Sequence, residues 1–142
     1  MRNPILALTI CALTLSAPLA ALAQERDPAG RQTLVDMAYV LGEAHALRQA
    51  CQGATDQYWR TRMMQLVDTE QADAALTQRL KDAFNTGFVA RQGAYPTCTP
   101  GARTAMTKVL ARGKVLAGRL ARTAPPSGAE STQTGDTGSR PR

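Results

Sequence analysis

Leu34, Met37, Ala38, Leu41, Ala44 and Leu47 recur at steps of three and four residues, the spacing that lines one face of an α-helix. The pattern predicts a first helix over residues 32–50, stopped by Gly53. Trp59, Met63, Leu66 and Val67 predict a shorter second helix over residues 56–69, with Asp56 placed to cap it. Leu76, Leu80, Phe84 and Phe88 lie one turn apart and predict a third over residues 72–91, in which Gly87 lets a neighbour come close. Gly93 and Pro96 are the expected end of that helix.

Thr99-Pro100 reads as an N-cap followed by proline in the first helical position, opening a fourth helix that runs to about residue 121. Its apolar positions Ala102, Met106, Val109, Gly113, Leu116 and Leu120 alternate steps of four and three, the seam of an antiparallel or coiled-coil-like contact. Glycine costs a helix interior on the order of 1 kcal/mol relative to alanine, so Gly113 is expected to have a packing reason. No alternating apolar run predicts a strand. The fold class is therefore all-α, a compact four-helix domain over residues 24–122. From Thr123 onward Pro125, Pro126, Ser127, Gly128 and a Ser/Thr/Gly mixture lack the apolar residues a core needs, so a disordered C-terminal tail is expected.

The N-terminus changes the setting. Arg2, an apolar run from Ile5 to Leu15, Pro18 and the small-residue end Ala21-Leu22-Ala23 have the layout of a cleavable secretory signal over residues 1–23. As an uncleaved anchor the run is short and broken by Thr9, Thr14, Ser16 and Pro18. Bulky Ile10 before Cys11 does not suit a lipoprotein signal, which leaves Cys11 as an apolar filler of the leader. Removal of the leader leaves Cys51 and Cys98 in a compartment where disulfides persist, which points to a periplasmic protein with those two residues bonded. Such a bond joins the end of the first helix to the start of the fourth and makes them antiparallel neighbours. On chain-entropy grounds it contributes on the order of 4 kcal/mol. The alternative of a redox-active pair lacks Cys-x-x-Cys spacing and a strand-helix setting.

Charge adds one surface to watch. The processed form keeps 16 Lys and Arg against 11 Asp and Glu, a formal charge of +5. Residues 91–122 hold seven cations and no acid: Arg91, Arg103, Lys108, Arg112, Lys114, Arg119 and Arg122. The helix dipole accounts for cations at the end, Arg119 and Arg122, but not for the early Arg103 and Lys108. In an exported compartment nucleic acid is not the expected partner; an anionic envelope component or an acidic protein suits Arg103, Lys108, Arg112, Lys114 and Arg119 better. A charge run on a helix is more often a solvated face.

Candidate chemistry is sparse. His45 is the only histidine, and Met37, Met63, Met64 and Met106 are thioethers suited to cuprous copper, yet no Met-x-x-Met or Met-x-His cluster joins them. No metal or other cofactor is expected, and a hydrogen-bonded histidine at the edge of the core is the simpler reading. Glu43 and His45 fall on different helix faces, and Asp36 with Glu43 reads as a pair of solvated charges. There is no phosphate loop, nucleophile elbow or His-Glu-x-x-His motif. An enzyme is not the expected class.

The segment Leu41-Gly42-Glu43-Ala44-His45-Ala46-Leu47-Arg48 with Cys51, then Trp59-Arg60, Ala83-Phe84-Asn85-Thr86-Gly87-Phe88 and Tyr95-Pro96-Thr97-Cys98-Thr99-Pro100 resemble a family of small exported alphaproteobacterial proteins of unknown function. The similarity covers about residues 34–120. It implies a secreted helical domain with paired cysteines, and it marks His45, Arg48, Trp59 and Asn85 as polar or amphipathic positions of interest. Structural roles stand beside each: Asn85 as a cap or bridge, Trp59 as core filling, Arg48 as a stem over the core edge. The reading that follows is a monomeric or weakly self-associating periplasmic binding or accessory protein of the cell envelope, with no integral span after cleavage. The alternative is a small-ligand or metal-binding protein or enzyme centred on His45.

Overall fold

A computed structural model describes residues 26–124; residues 1–25, with the expected leader, and residues 125–142, with the expected disordered tail, lie outside it. Four helices follow one another: α1 (Pro28–Gln52), α2 (Tyr58–Thr69), α3 (Ala74–Ala94) and α4 (Pro100–Arg122). Three of them start as capping chemistry dictates. Asp27, Asp73 and Thr99 are extended and accept hydrogen bonds from the backbone N–H of Gly30, Leu76 and Ala102 at 2.7, 2.7 and 3.1 Å. Pro28 and Pro100 stand at the first helical turn, where the missing N–H costs nothing.

The boundaries differ from the expected ones for identifiable reasons. Helix α1 begins four residues early because Asp27-Pro28 is itself a cap, and it runs on to Gly53, whose φ of 102° ends it. Asp56 does not cap α2: its carboxylate accepts from Tyr58 N at 3.1 Å and from Arg48, and Gln57 holds the cap position without a side-chain bond. Helix α3 starts later, after Asp73, and passes straight through Gly93. A single glycine weakens a helix by about 1 kcal/mol but does not break it. The stop is Tyr95, held out of helical geometry by the following Pro96.

Helix α1 is the hub on which α2, α3 and α4 all pack; α2 also touches α3, while α4 approaches neither α2 nor α3 through its backbone. The core joins Leu34, Ala38, Leu41, Ala44 and Leu47 of α1 to Met63, Leu76, Leu80, Phe84, Val109 and Leu120 of the other three. From Met37 to Leu47 only Tyr39 escapes full burial, so this stretch of α1 has no solvated face. That is why Glu43 and His45 sit inside the protein at 1% and 3% exposure.

The bond between Cys51 and Cys98 is made, with Cα atoms 4.6 Å apart. It ties the end of α1 to the residue preceding the Thr99 cap. At the far end Arg26 donates to the Leu120 carbonyl at 3.0 Å and to Glu70 at 2.8 Å. Between these points Val40 faces Gly113, so α1 and α4 are antiparallel along their length. Among the described residues no helix is long and apolar enough to cross a membrane.

Candidate functional site

Two glycines decide where the buried charge sits. A Cβ on Gly42 would stand 1.9 Å from the Phe84 carbonyl oxygen, and one on Gly87 would stand 2.1 Å from that of Tyr39. Helices α1 and α3 therefore touch backbone to backbone, and this contact carries the neighbouring Glu43 and the later Arg91 into reach of each other. Arg91 donates through Nε at 2.8 Å and Nη2 at 2.7 Å to Glu43 Oε1, while Arg112 of α4 binds Glu43 Oε2. Glu43 is thus no solvated charge. It is a carboxylate clasp that links α3 to α4 across α1, although those two helices do not meet directly. Its two oxygens are both engaged, and both guanidinium groups keep a water-facing side.

His45 lies two residues on, between Phe84 and Phe88, whose ring centroids are 5.6 and 5.4 Å away. Its Nε2 stands 3.3 Å from Gln49 Nε2, but that amide already donates to the carbonyls of Ala54 and Asp56 at 2.9 and 3.1 Å. An amide nitrogen has two protons to give, so His45 receives little from it, and Nδ1 has no hydrogen-bond partner among the described residues. The histidine is in the core, not at its edge. Burial pushes its pKa below the ordinary value, the Arg60 charge adds to that, and Asp56 partly opposes it. Among the described residues no three or more His, Cys, Asp and Glu side chains gather where a metal ion could be held.

Arg48 bonds both carboxylate oxygens of Asp56 at 2.9 Å and lies 4.8 Å over the Tyr58 ring. Arg62 lies 5.2 Å from the same ring. The Arg48 hydrogen bonds hold Asp56 below the usual carboxylate range, helped by the Tyr58 amide. This cluster closes the α1–α2 turn. Trp59 is half-buried against the core, edge-on to Tyr58. Asn85 is exposed on α3, and the contacts of His45 and Arg48 are made with other residues.

Of the cations on α4, Arg112 is taken by Glu43, whereas Arg103, Lys108, Lys114, Arg119 and Arg122 are exposed and have no ion-pair partner among the described residues. Because α4 packs on α1 alone, a groove runs along each of its sides. The larger, about 550 Å³, is lined by Tyr39 and Val40 of α1 and Val115 and Leu116 of α4, with Arg112 and Arg119 on its rim. The smaller, about 230 Å³, lies by Trp59, Leu110, Gly113 and Lys114. Val115 and Leu110 remain 56% and 43% exposed. Gly113, expected to have a packing reason, meets only Val40 Cγ1 at 3.4 Å from where its Cβ would be; its smallness opens this second groove.

The burial of Glu43 and His45 escaped the reading of the sequence as an amphipathic helix. The available signal was composition: from Val40 to Leu47 the two ionisable residues are embedded among Leu, Gly and Ala with no polar companions, which suits a helix surrounded by others.

These features define a disulfide-stapled all-α domain built around one central helix. The chain belongs to the family described as "Protein of unknown function (DUF2385)", whose pattern matches residues 30–123. No curated protein and no solved structure matches it.

Proposed function

We propose that this is an exported, periplasmic accessory protein of the cell envelope that holds an anionic envelope partner against the outer face of α4. The observation that carries the proposal is the row Arg103, Lys108, Lys114 and Arg119, exposed on a helix without acids and left without ion-pair partners while Arg112 is used internally. Cations with no structural employment around the solvent side of one helix raise the local positive potential and attract anions. The Cys51–Cys98 bond and the leader-like residues 1–23 support an oxidising, exported setting for a mature chain that starts after Ala23.

Arg112 is the wrong residue with which to test this, since its loss also opens the Glu43 clasp. The informative variant is Lys108→Glu, Lys114→Glu, Arg119→Glu. Co-sedimentation with phosphatidylglycerol vesicles is expected for the wild type at low salt, with little binding to phosphatidylcholine. Binding should fall steeply as ionic strength rises and the Debye length shrinks below about 8 Å. The folded triple variant should lose it. Equal binding by both proteins, or binding indifferent to salt, would overturn the reading.

A further inference from the structure

We infer that the larger groove beside α4 takes a single-chain anionic amphiphile, its alkyl chain lying on Tyr39, Val40, Val115 and Leu116 and its phosphate or carboxylate head meeting Arg119. The inference rests on the anionic-partner reading and narrows it to one chemical class. Three observations combine. The floor is apolar and accessible, with Val115 more than half exposed beside a buried Leu116. The groove's volume, about 550 Å³, falls within the range of about 300–1,000 Å³ usual for small-molecule sites. Its rim carries a cation with no acid to neutralise it, Arg119, seven residues or about 10 Å along α4 from Arg112.

Charge also decides among occupants. The one acid on the rim, Asp36, accepts from Gln32 Nε2 at 2.9 Å on the α1 side, opposite the α4 cations. A second copy would bring another acid-free α4 towards this one, and the two rows of cations repel. An uncharged apolar chain would cover the floor but make no use of the Arg119 charge on the rim. A molecule that is apolar along its length and negative at one end satisfies both parts of the groove.

The test is calorimetric titration of the disulfide-bonded protein with decyl phosphate below its micelle concentration, against decyl maltoside and inorganic phosphate. Decyl phosphate should bind at least tenfold more tightly than either. Affinity should fall about threefold for each methylene removed in the octyl and hexyl phosphates, in line with partial burial of each group. Ala111→Trp, which fills the groove from the exposed side of α4, and Arg119→Gln should each weaken binding about tenfold. Lys81→Gln, exposed on α3 and outside the groove lining, should leave it within about twofold. Equal affinity for decyl phosphate and inorganic phosphate would overturn the inference while leaving the anion-binding face intact. Equal affinity for decyl maltoside would make the groove a plain apolar cleft. A concentration-dependent dimer abolished by Ala111→Trp would give it to a second copy. If neither alkyl phosphate, inorganic phosphate nor phosphatidylglycerol vesicles bind, the preceding reading fails as well.

Discussion

Helices α3 and α4 both pack on α1, but by different physics. Against α3, Gly42 and Gly87 bring backbones together with no room for a methyl group. Against α4 the contact is made by side chains such as Val40, Ala102, Val109 and Leu116, closed at one end by Cys51–Cys98 and at the other by Arg26, with a groove left on either flank. One interface excludes everything. The other is tied at its ends and accessible along its sides, and accessible apolar surface beside unpaired cations is where a ligand can act. The comparison explains why the candidate binding features collect on α4: a long helix that packs on α1 alone keeps both of its flanks open.

The sharpest way to break the comparison is to add one methyl group on each side. Gly42→Ala is expected to cost at least about 3 kcal/mol and to prevent folding at ordinary temperature, because the obstructing atom is a backbone carbonyl that cannot swing away. Gly113→Ala on α4 meets Val40 at an ordinary contact distance and should be neutral or stabilising by up to about 1 kcal/mol. Thermal unfolding of the two variants checks both signs.

Removal of the staple should be comparable in size. Cys51→Ser, Cys98→Ser opens a loop closed over a sequence separation of 47 and should cost about 4 kcal/mol by unfolded-state entropy, less any relaxation of the native ends. Hydrogen exchange should show the loss first in the amides of α4, because α3 retains its glycine contact with α1. Uniform loss across α3 and α4 would mean that the two interfaces are a single cooperative unit.

Glu43 belongs to both interfaces, and Glu43→Gln should sharpen their relation. Breaking a fully buried ion pair costs about 3–5 kcal/mol; here Arg91 and Arg112 are 32% and 48% exposed and can turn to water, so about 2 kcal/mol is expected. Chemical denaturation measures it. The double variant with Arg112→Gln should be less than additive, since both changes remove the same contact.

The smallest effect is the pH dependence of His45. Its folded-state pKa lies below the unfolded value of about 6.5, so below that pH the unfolded chain binds more protons and stability declines. The contribution is present above pH 6.5 and is lost as pH falls through the folded-state value, with a slope of at most about 1.4 kcal/mol per pH unit for one proton. Asp56 and Asp73, both held below their ordinary 3.8 by hydrogen bonds, act in the same direction only below about pH 4. His45→Leu should remove the decline that sets in below pH 6.5 and leave the one below about pH 4. An unchanged slope just below pH 6.5 would place its origin elsewhere.

Helix number, the cap at Thr99, the apolar stripes and the antiparallel pairing of α1 with α4 could all be read from the chain. Each depends on neighbours in sequence, on helical periodicity, or on two cysteines that had only each other once the leader was set aside. Asp56 and Gly93 misled because capping and helix termination depend on competition, from Arg48 in one case and from helix-forming neighbours in the other. Glu43 misled most, since charge normally implies solvent and the two arginines that hold it come from positions 48 and 69 residues away.

The sequence alone determined an all-α domain with a staple and an acid-free last helix, because capping, periodicity and charge are local or additive properties. Only the tertiary structure decided that α1 is surrounded, that of the two buried polar residues Glu43 is fully engaged and His45 is not, that Arg112 is already occupied, and that grooves flank α4. Those facts depend on which faces of separate helices meet, and an interface set by two glycines 45 positions apart leaves no periodic trace along the chain.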